Sequence, residues 1–315
     1  MDPHALVRDA RAGDRRAVAR LISLVETGGP DADAASAALY PATGRAYTVG
    51  ITGAPGAGKS TLTDALVTRL RAAGTEVGVL AVDPTSPFSG GAILGDRVRM
   101  GTHATDPGVF IRSMATRGHL GGLALATPQA IRVLDAAGLP WILVETVGVG
   151  QVEVEVAAAT DTTIVVLNPG WGDAVQAAKA GLMEIADVFV VNKADRPGAD
   201  DAERDVRQML GMGGARDWMP PVVRAVATTG EGVDAVWAAV ADHRAHQEST
   251  GTLATRRRVR LRAEVRAIAV ARLAARVEAW AGSPDFEATM ARVDAREVDP
   301  YAAASRVTGD VAPGQ

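Results

Sequence analysis

The sequence predicts an α/β protein in which helices cover both faces of a mostly parallel sheet, with helical extensions at both ends of the chain. Short apolar segments such as "VGVLAVD" (77–83) and "TTIVVLN" (162–168) alternate with helical patterns. A parallel sheet that is buried on both faces requires such continuously apolar strands. After Gly251 the alternation stops, and one Arg/Ala-rich helical pattern runs over 253–281.

The elements follow in chain order. Two amphipathic helices over 3–27, separated by Gly13-Asp14, and an alanine-rich segment over 31–40 precede the sheet. The predicted strands are 46–52, 77–83, 108–113, 141–145, 162–168, 187–192 and 221–227. The predicted helices are 59–72, 96–104, 122–137, 174–186, 200–211, 231–247, 253–281, 285–294 and 299–307. We therefore predict an N-terminal helical extension (1–44), a central domain (45–250) and a C-terminal helical arm (251–315).

A glycine-rich segment follows the first predicted strand and opens a helix. "GITGAPGAGKST" (50–61) matches G-x-x-x-x-G-K-[ST], in which backbone N–H groups and the helix N-terminus surround phosphates. Lys59 would reach the β- and γ-phosphates, and the Ser60 hydroxyl would bind Mg²⁺. The candidate phosphate-binding residues are Gly53, Ala54, Pro55, Gly56, Ala57, Gly58, Lys59, Ser60 and Thr61. An ordinary glycine-rich turn is the alternative; strand, motif and helix together favour a P-loop NTPase fold.

The strand end "FVVNKAD" (189–195) indicates which base is bound. The Asp195 carboxylate can accept hydrogen bonds from guanine N1–H and from its exocyclic amino group, a pair that adenine cannot reproduce. Asn192 would hold the loop or the base edge, and the Lys193 stem would lie along the ring. The backbone and side chains of Ala227, Thr228 and Thr229 would contact the guanine O6 edge. A charged exit from a strand is the alternative; in combination with the P-loop, the pattern predicts GTP or GDP.

Three carboxylates are candidates for the Mg²⁺ site, because the carboxyl ends of parallel strands converge at the ligand crevice. Asp83 ends one predicted strand, Glu145 ends another, and Asp96 follows a long Pro/Ser/Gly-rich loop. Since Mg²⁺ keeps several of its waters, some of the three would act through water. A helix N-cap or a bridge between loops is the alternative role of each.

Two loops are predicted to be able to move: "DPTSPFSGGAILGD" (83–96) and "ETVGVGQ" (145–151). Contacts with a γ-phosphate typically order such loops. The Gly148 backbone N–H is placed to meet that phosphate, and Gln151 is a candidate for orienting the attacking water. The candidate catalytic residues are Lys59, Asp96, Glu145 and Gln151. Because no isolated general base stands out, we predict slow intrinsic hydrolysis of GTP.

Composition narrows the class of partner. Acidic residues outnumber basic ones by 37 to 33, which argues against nucleic acid as the main partner. The chain has 0 cysteines, so thiolate metal sites are excluded, and no apolar run is long enough to span a membrane. We therefore expect a cytoplasmic protein that binds neither nucleic acid nor a membrane. The apolar stripe of the 253–281 helix indicates a protein partner, and its arginines are expected to form a solvated face. The five histidines are expected at the surface.

With these motifs assembled, the chain resembles the MeaB/ArgK GTPases of the SIMIBI class. The resemblance is strong over about 45–248, and it depends on "GAPGAGKST", "AVDPTSPFSGGAILGDRVRM", "ILVETVGVGQVEVEV", "GWGDAVQAAKAGLMEIADVFVVNKAD" and "MPPVVRAVATTGEGVDAVW". It implies a GTPase chaperone that gates cofactor loading of adenosylcobalamin-dependent methylmalonyl-CoA mutase and protects that enzyme. It also implies a homodimer formed through the C-terminal helices, so that 251–315 would be a dimerisation arm.

The resemblance further implies a third mobile loop over 168–181, with Asp173, Gln176 and Lys179 at its functional positions. Trp171 departs from the small residue that the resemblance leads us to expect. An older label of the same family is kinase of an arginine/ornithine transport system, and a metallochaperone-type maturation GTPase is a further alternative. The absence of cysteine disfavours the latter.

Overall fold

A computed structural model describes residues 2–84, 101–103, 105–116, 122–146, 152–170, 183–212, 214 and 216–308. The predicted α/β class is confirmed: seven parallel strands form one sheet in the order β3-β2-β4-β1-β5-β6-β7. The strands are β1 (Tyr47–Gly53), β2 (Val77–Pro84), β3 (Val109–Thr116), β4 (Trp141–Thr146), β5 (Thr162–Leu167), β6 (Val188–Asn192) and β7 (Val222–Ala225). β7 is shorter than predicted because Val226 leaves the sheet and forms an isolated bridge with Glu231.

The helices agree with the predicted pattern and add two, over Pro30–Leu39 and Val152–Ala159. They are α1 (Pro3–Arg11), α2 (Arg15–Thr27), α3 (Pro30–Leu39), α4 (Lys59–Ala72), α5 (Gly122–Ala136), α6 (Val152–Ala159), α7 (Ala199–Met212), α8 (Val233–Thr250), α9 (Thr252–Ala281), α10 (Pro284–Asp294) and α11 (Pro300–Thr308). The added helix α3 begins at Pro30, which is compatible with the first helical position, and its alanines favour helix. The predicted helices 96–104 and 174–186 lie largely outside the described residues.

The core lies on both faces of the sheet because successive strand residues point to opposite sides. On β4, Val144 belongs to the apolar cluster under α2 and α5. The preceding residue, Leu143, belongs to the cluster under α4 and α8. A third cluster joins β5 and β6 to α7 through residues such as Phe189 and Leu210. This double covering leaves the carboxyl ends of the strands as the place where loops can build a site.

The N-terminal helices pack against the edge of the sheet that ends with β3. The Arg15 guanidinium donates hydrogen bonds to the backbone carbonyl of Pro107 at 2.7 Å and to that of Val109. The Arg112 guanidinium of β3 donates to the Glu26 carboxylate of α2 at 3.3 Å. Charged side chains therefore fix this extension to the strand, in addition to the apolar contacts of α2.

The chain divides into two compact units, one up to Leu261 and one that begins at Arg262. The first holds the sheet, the helices around it and the beginning of α9. Within the second, the Trp280 and Phe286 rings meet edge to face at 4.9 Å, and Arg306 pairs with Asp285 at 3.2 Å. The division into 1–44, 45–250 and 251–315 stays a prediction. Over the described ranges, each helix is too short or too polar to cross a membrane.

Candidate nucleotide-binding site

The candidate site lies at the carboxyl end of β1, in the middle of the sheet. β1 pairs with β4 on one side and with β5 on the other, so the chain leaves this strand between the two halves of the sheet. In open α/β sheets such a point forms the ligand crevice. The loop that follows β1 leads directly into α4, as the glycine-rich motif predicts.

Two glycines of this loop cannot be replaced without a clash. Gly53 has φ +134°, and a Cβ atom there would lie 2.1 Å from the Val166 carbonyl oxygen of β5. Gly58 has φ +91°, and a Cβ atom there would lie 2.3 Å from the Asn192 amide nitrogen. Both positions combine a left-handed backbone with a close neighbour, which only glycine tolerates. The loop is thus held close against β5 and β6.

The N-terminus of α4 is suited to bind an anion. Gly58 occupies the N-cap position and provides no side-chain hydrogen bond to the first turn, and the first N–H groups of a helix attract phosphate. Lys59 begins the helix and is buried, and its ammonium donates to the carbonyl oxygens of Gly53 at 2.9 Å and Ala54 at 3.0 Å. The cation is therefore already folded over the loop that would surround the phosphates.

Ser60 and Glu145 bring together two oxygen ligands of the kind that Mg²⁺ prefers. The Ser60 hydroxyl donates a hydrogen bond to the Glu145 carboxylate, which is only 1% exposed. Asp83 lies at the end of β2 opposite Ala115 of β3, and Asp96 lies outside the described residues. Among the described residues, no three His, Cys, Asp or Glu side chains cluster as metal ligands. The Ser60–Glu145 pair, with all-oxygen chemistry, fits Mg²⁺ with water completing its coordination.

Asn192 connects three loops at the end of β6. Its side-chain amide donates to the Ala57 carbonyl at 2.8 Å, and its amide oxygen accepts from the Ala227 N–H at 3.1 Å. It is nearly fully buried, so these two bonds have little competition from water. Of the two roles predicted for Asn192, the structure describes the one in which it holds the loops.

The other predicted base-binding residues follow the ends of β6 and β7. Lys193 adopts φ +56°, and its ammonium donates to the Gly56 carbonyl at 2.7 Å. Asp195 is exposed, two residues beyond. Ala227 is buried, whereas the following residues Thr228 and Thr229 are exposed. The contacts thus bring Asn192 and Lys193 directly to the phosphate loop, and Ala227 to Asn192.

Sequence reasoning missed one carboxylate near the loop. Glu153 lies in the first turn of α6, and burial raises its pKa while the positive charge of Lys59 partly opposes that shift. Its position three residues beyond the last glycine of "VGVGQVE" was the available signal. Several predicted residues lie outside the described residues: Asp96, Gly148, Gln151, Trp171, Asp173, Gln176 and Lys179.

The prediction of a solvated arginine face is wrong for three arginines of α9, which lie at the amino ends of the strands. Arg256 pairs with Asp187 at 3.1 Å, Arg257 pairs with Asp161 at 2.6 Å, and Arg260 also contacts Asp161. These three arginines are not a solvated face, because the two aspartates precede β5 and β6 in a buried position where carboxylates need cations. Burial alone would raise the pKa of Asp161, but Arg257 and Arg260 outweigh it and hold that pKa below its usual range.

The prediction of surface histidines is also wrong for two of the five. His103 and His243 are buried. The His243 Nδ1 lies 2.9 Å from the Thr162 hydroxyl and its Nε2 lies 3.4 Å from the Asp187 carboxylate. Burial lowers the pKa of His243 to about 4. Both ring nitrogens therefore have protein partners, and these contacts lower the free-energy cost of burying the ring.

A cleft of about 300 Å³ opens at the amino ends of the strands, beside Trp218, His246 and Arg256. Gln247 lines it, but its amide oxygen accepts from the Tyr47 hydroxyl at 2.9 Å and its amide nitrogen donates to the Asp161 carbonyl at 3.0 Å. The buried polar groups of this wall are thus used by the protein itself. The predicted nucleotide-binding residues lie instead at the carboxyl ends of the strands.

Known proteins resemble this chain over most of its length. Residues 18–281 match the family described as "Methylmalonyl Co-A mutase-associated GTPase MeaB". A Pyrococcus abyssi protein whose name includes the word GTPase is 51% identical over 98% of this chain and 97% of its own. GTPase ArgK of Escherichia coli is 38% identical over 78% of this chain and 77% of its own.

Two further matches differ in kind. The crystal structure of an LAO/AO transport system kinase superposes with a TM-score of 0.72, at 27% identity, over 98% of this chain and 96% of that chain. The fused isobutyryl-CoA mutase of Cupriavidus metallidurans is 41% identical over 63% of this chain but only 18% of its own length. The family match covers the whole sheet and the phosphate loop described above. The chain belongs to the MeaB family of GTPases.

Proposed function

We propose that this protein binds and hydrolyses GTP slowly with Mg²⁺, and that it is a chaperone of an adenosylcobalamin-dependent methylmalonyl-CoA mutase. In this proposal, its nucleotide state gates the loading of the mutase cofactor and protects the mutase. The structural observation that carries the nucleotide part is the Asn192 side chain, which holds the phosphate loop at Ala57 and the 225–229 segment at Ala227. This pair of contacts supports a common site for the phosphates and the base.

Guanine is supported by the position of Asp195. Because Asp195 is exposed beside this framework, its carboxylate is accessible to a base whose N1–H and amino group would both donate to it. Adenine offers no such pair of donors. With adenine bound, the Asp195 carboxylate would lose hydrogen bonds to water and gain none from the base. The stem of Lys193, held at Gly56, is placed to border the base.

Magnesium would be held by the Ser60 hydroxyl and, directly or through water, by the Glu145 carboxylate. When bound, Mg²⁺ offsets negative charge on the β- and γ-phosphates. The chain itself contributes the N-terminus of α4 and the Lys59 ammonium, which would bind and orient the phosphates. Because no described residue offers an evident general base, we expect hydrolysis to depend on this positioning and to be slow.

A mutase partner is supported by the fused isobutyryl-CoA mutase, in which a segment similar to this chain is part of a CoA mutase polypeptide. Joining two proteins in one chain raises their effective concentration, which is useful when they act together. The family description also names a mutase as the associated enzyme. We extend this association to the present chain, with methylmalonyl-CoA mutase as the enzyme it serves.

A homodimer formed through the C-terminal helices is also part of the proposal. Within the second unit, α9 exposes the apolar side chains of Val265, Val270, Leu273 and Val277. Their spacing of three to five residues gives one side of the helix an apolar character, which favours burial against a partner. Sedimentation of the purified chain tests this directly, and a monomer at micromolar concentration would contradict it.

The proposal is tested by affinity capture with the immobilised protein, loaded either with GDP or with a non-hydrolysable GTP analogue. We expect purified methylmalonyl-CoA mutase to be retained to different extents in the two states, and to accelerate GTP turnover. A matched control is the Asp195→Asn variant, which should lose retention of guanine nucleotide and, with it, the difference between the two states. Absence of mutase from both columns, with nucleotide bound, would refute the partner but not the GTPase.

A second candidate function, a kinase, is favoured only by the similarity to the LAO/AO transport system kinase. Labelled phosphate transferred from ATP to an acceptor protein, in place of release as free phosphate, would support it. A metallochaperone-type role predicts stoichiometric Ni²⁺ or Zn²⁺ binding in calorimetry. The described residues contain no cluster of three ligands for such an ion, so the metallochaperone-type role has no structural support among them.

A further inference from the structure

Two fully buried threonines lie directly beside the residues of the candidate Mg²⁺ site. Thr52 precedes Gly53, whose carbonyl accepts from Lys59, and Thr146 follows Glu145, whose carboxylate accepts from Ser60. The Thr146 hydroxyl donates to the Thr52 hydroxyl at 3.1 Å, and both residues are 0% exposed. A buried hydroxyl needs a partner, and each of these two finds it in the other.

The threonine bond joins the two strands at the level of the site but on the other face of the sheet. The β1–β4 register runs from Tyr47 opposite Trp141 to Ile51 opposite Glu145, so Thr52 and Thr146 form the next step. Because neighbouring strand residues point to opposite faces, the hydroxyl bond is on the face away from the Glu145 carboxylate. The end of β4 is therefore bonded to α4 through Ser60 on one face and to β1 through Thr52 on the other.

A purely structural role does not require two hydroxyl groups here. Valine has nearly the shape of threonine, favours strands equally and needs no hydrogen bond in the core. The hydroxyl pair instead adds a directional bond between the strand that begins the phosphate loop and the strand that carries Glu145. A bond of this kind restricts the sliding of one strand end relative to the other, which apolar contact alone restricts less.

We infer that Thr52 and Thr146 are positioning residues for Mg²⁺, which fix the Glu145 carboxylate relative to the Ser60 hydroxyl. The inference rests on the proposed function, since it concerns the metal of the same nucleotide site. Mg²⁺ demands a nearly ideal octahedron with short bonds to oxygen, so a small displacement of one strand end weakens its binding. Groups that orient metal ligands typically change metal affinity by about 10- to 100-fold when they are removed.

The experiment measures how Mg²⁺ slows the release of a fluorescent GDP analogue from the full-length protein. In Thr146→Val we expect the Mg²⁺ concentration for half the effect to rise about 10-fold. The affinity for the GDP analogue in EDTA should stay within about two-fold, because the phosphate loop and base contacts remain. Thr146→Ser keeps the hydroxyl and should restore the wild-type Mg²⁺ response. Should Thr146→Val fail to fold, Thr52→Val removes the same bond from the other strand.

The matched control is Thr162→Val at the opposite edge of the sheet. Thr162 is also 0% exposed, and its hydroxyl contacts the Tyr47 hydroxyl at 2.7 Å and His243 at 2.9 Å. We expect this variant to lower the thermal midpoint while the Mg²⁺ response stays at the wild-type value. Equal Mg²⁺ responses in Thr146→Val and Thr162→Val would overturn the inference. If the wild-type protein itself releases GDP independently of Mg²⁺, the proposed magnesium-dependent function fails instead.

Discussion

Glu145 and Asp161 are two carboxylates with the same exposure and opposite surroundings. Each is 1% exposed, but Glu145 lies at the carboxyl end of β4 and Asp161 lies just before β5, at the amino edge. Asp161 accepts from Arg257, Arg260 and the Thr48 N–H. Glu145 contacts the hydroxyl of Ser60, the residue predicted to bind Mg²⁺. The same burial is therefore offset by ion pairs at one edge and, in the proposed function, serves ligand chemistry at the other.

The difference indicates how a parallel sheet can separate stability from ligand binding. At the amino edge, two arginines supply fixed counter-charges, so a buried carboxylate is compensated within the protein. At the carboxyl edge, the contacts around the phosphate loop are made largely by backbone carbonyls, such as those of Gly53 and Ala57. A cation and an anion from solution can use such a place, whereas they would have to displace ion pairs at the other edge.

The largest expected effect is a loss of stability in Asp161→Ala. Removal of one partner of a buried ion pair leaves Arg257 and Arg260 without their shared counter-charge and lowers the free energy of unfolding by about 3–5 kcal/mol. Urea unfolding measures this, while GDP affinity at a temperature where the variant is folded should stay within about two-fold of wild type. A loss below about 1 kcal/mol would show that Asp161 is not central to the amino edge.

The matched change at the other edge is Glu145→Ala. It should lower Mg²⁺-dependent GTP turnover by about 10²-fold, the effect of removing one group that stabilises developing charge, and lower the affinity for GDP much less. Steady-state phosphate release and GDP titration give the two quantities, and Glu145→Gln separates charge from shape. Equal losses of turnover and GDP binding would return Glu145 to a structural role and end the contrast with Asp161.

A third effect concerns pH, through His243 at the amino edge. Burial lowers its pKa from 6.5 to about 4; Asp187 and Asp161 act to raise it, and Arg256 and His246 act to lower it. Between those two values the unfolded chain binds more protons than the folded protein, so stability is lost as pH falls through this window. The size of the loss is on the order of 3 kcal/mol across the window.

Urea unfolding at pH 7, 5.5 and 4.5 measures this slope, with His243→Gln as the comparison. The variant is expected to be less stable at pH 7, because it disturbs the contacts with Thr162 and Asp187, but its stability should fall less between pH 7 and 4.5. Parallel curves for the two proteins would assign the acid sensitivity to other groups. GTP turnover normalised to folded protein should not change with this substitution.

The sequence alone predicted the alternation of strands and helices, because continuously apolar strands and the glycine motif are local signals. It was also sufficient to place Lys59 and Ser60 at the start of a helix, and Glu145 and Asn192 at the ends of two strands. The strand order was not accessible in this way, because pairing partners such as Tyr47 and Trp141 are far apart in the chain.

The same limit explains what was missed at the amino edge. Arg256 and Arg257 look like ordinary surface residues in an Arg-rich helix, and only the fold brings Asp187 and Asp161 to them across 69 and 96 positions. The burial of His243 likewise depends on partners in β5 and before β6. Local patterns predict which residues can do chemistry, whereas long-range pairing decides which charges are internal.

The smallest expected effect comes from an ion pair that is exposed. Arg69 of α4 pairs with Asp234 of α8 at 2.7 Å, but the Asp234 side chain is 90% exposed. Such pairs contribute about 0–1 kcal/mol because water and salt screen them. Asp234→Asn should therefore change the urea midpoint hardly at all, although it breaks an ion pair as short as that of Asp161. A loss as large as in Asp161→Ala would mean that the ion pair alone, without burial, accounts for the large effect expected at Asp161.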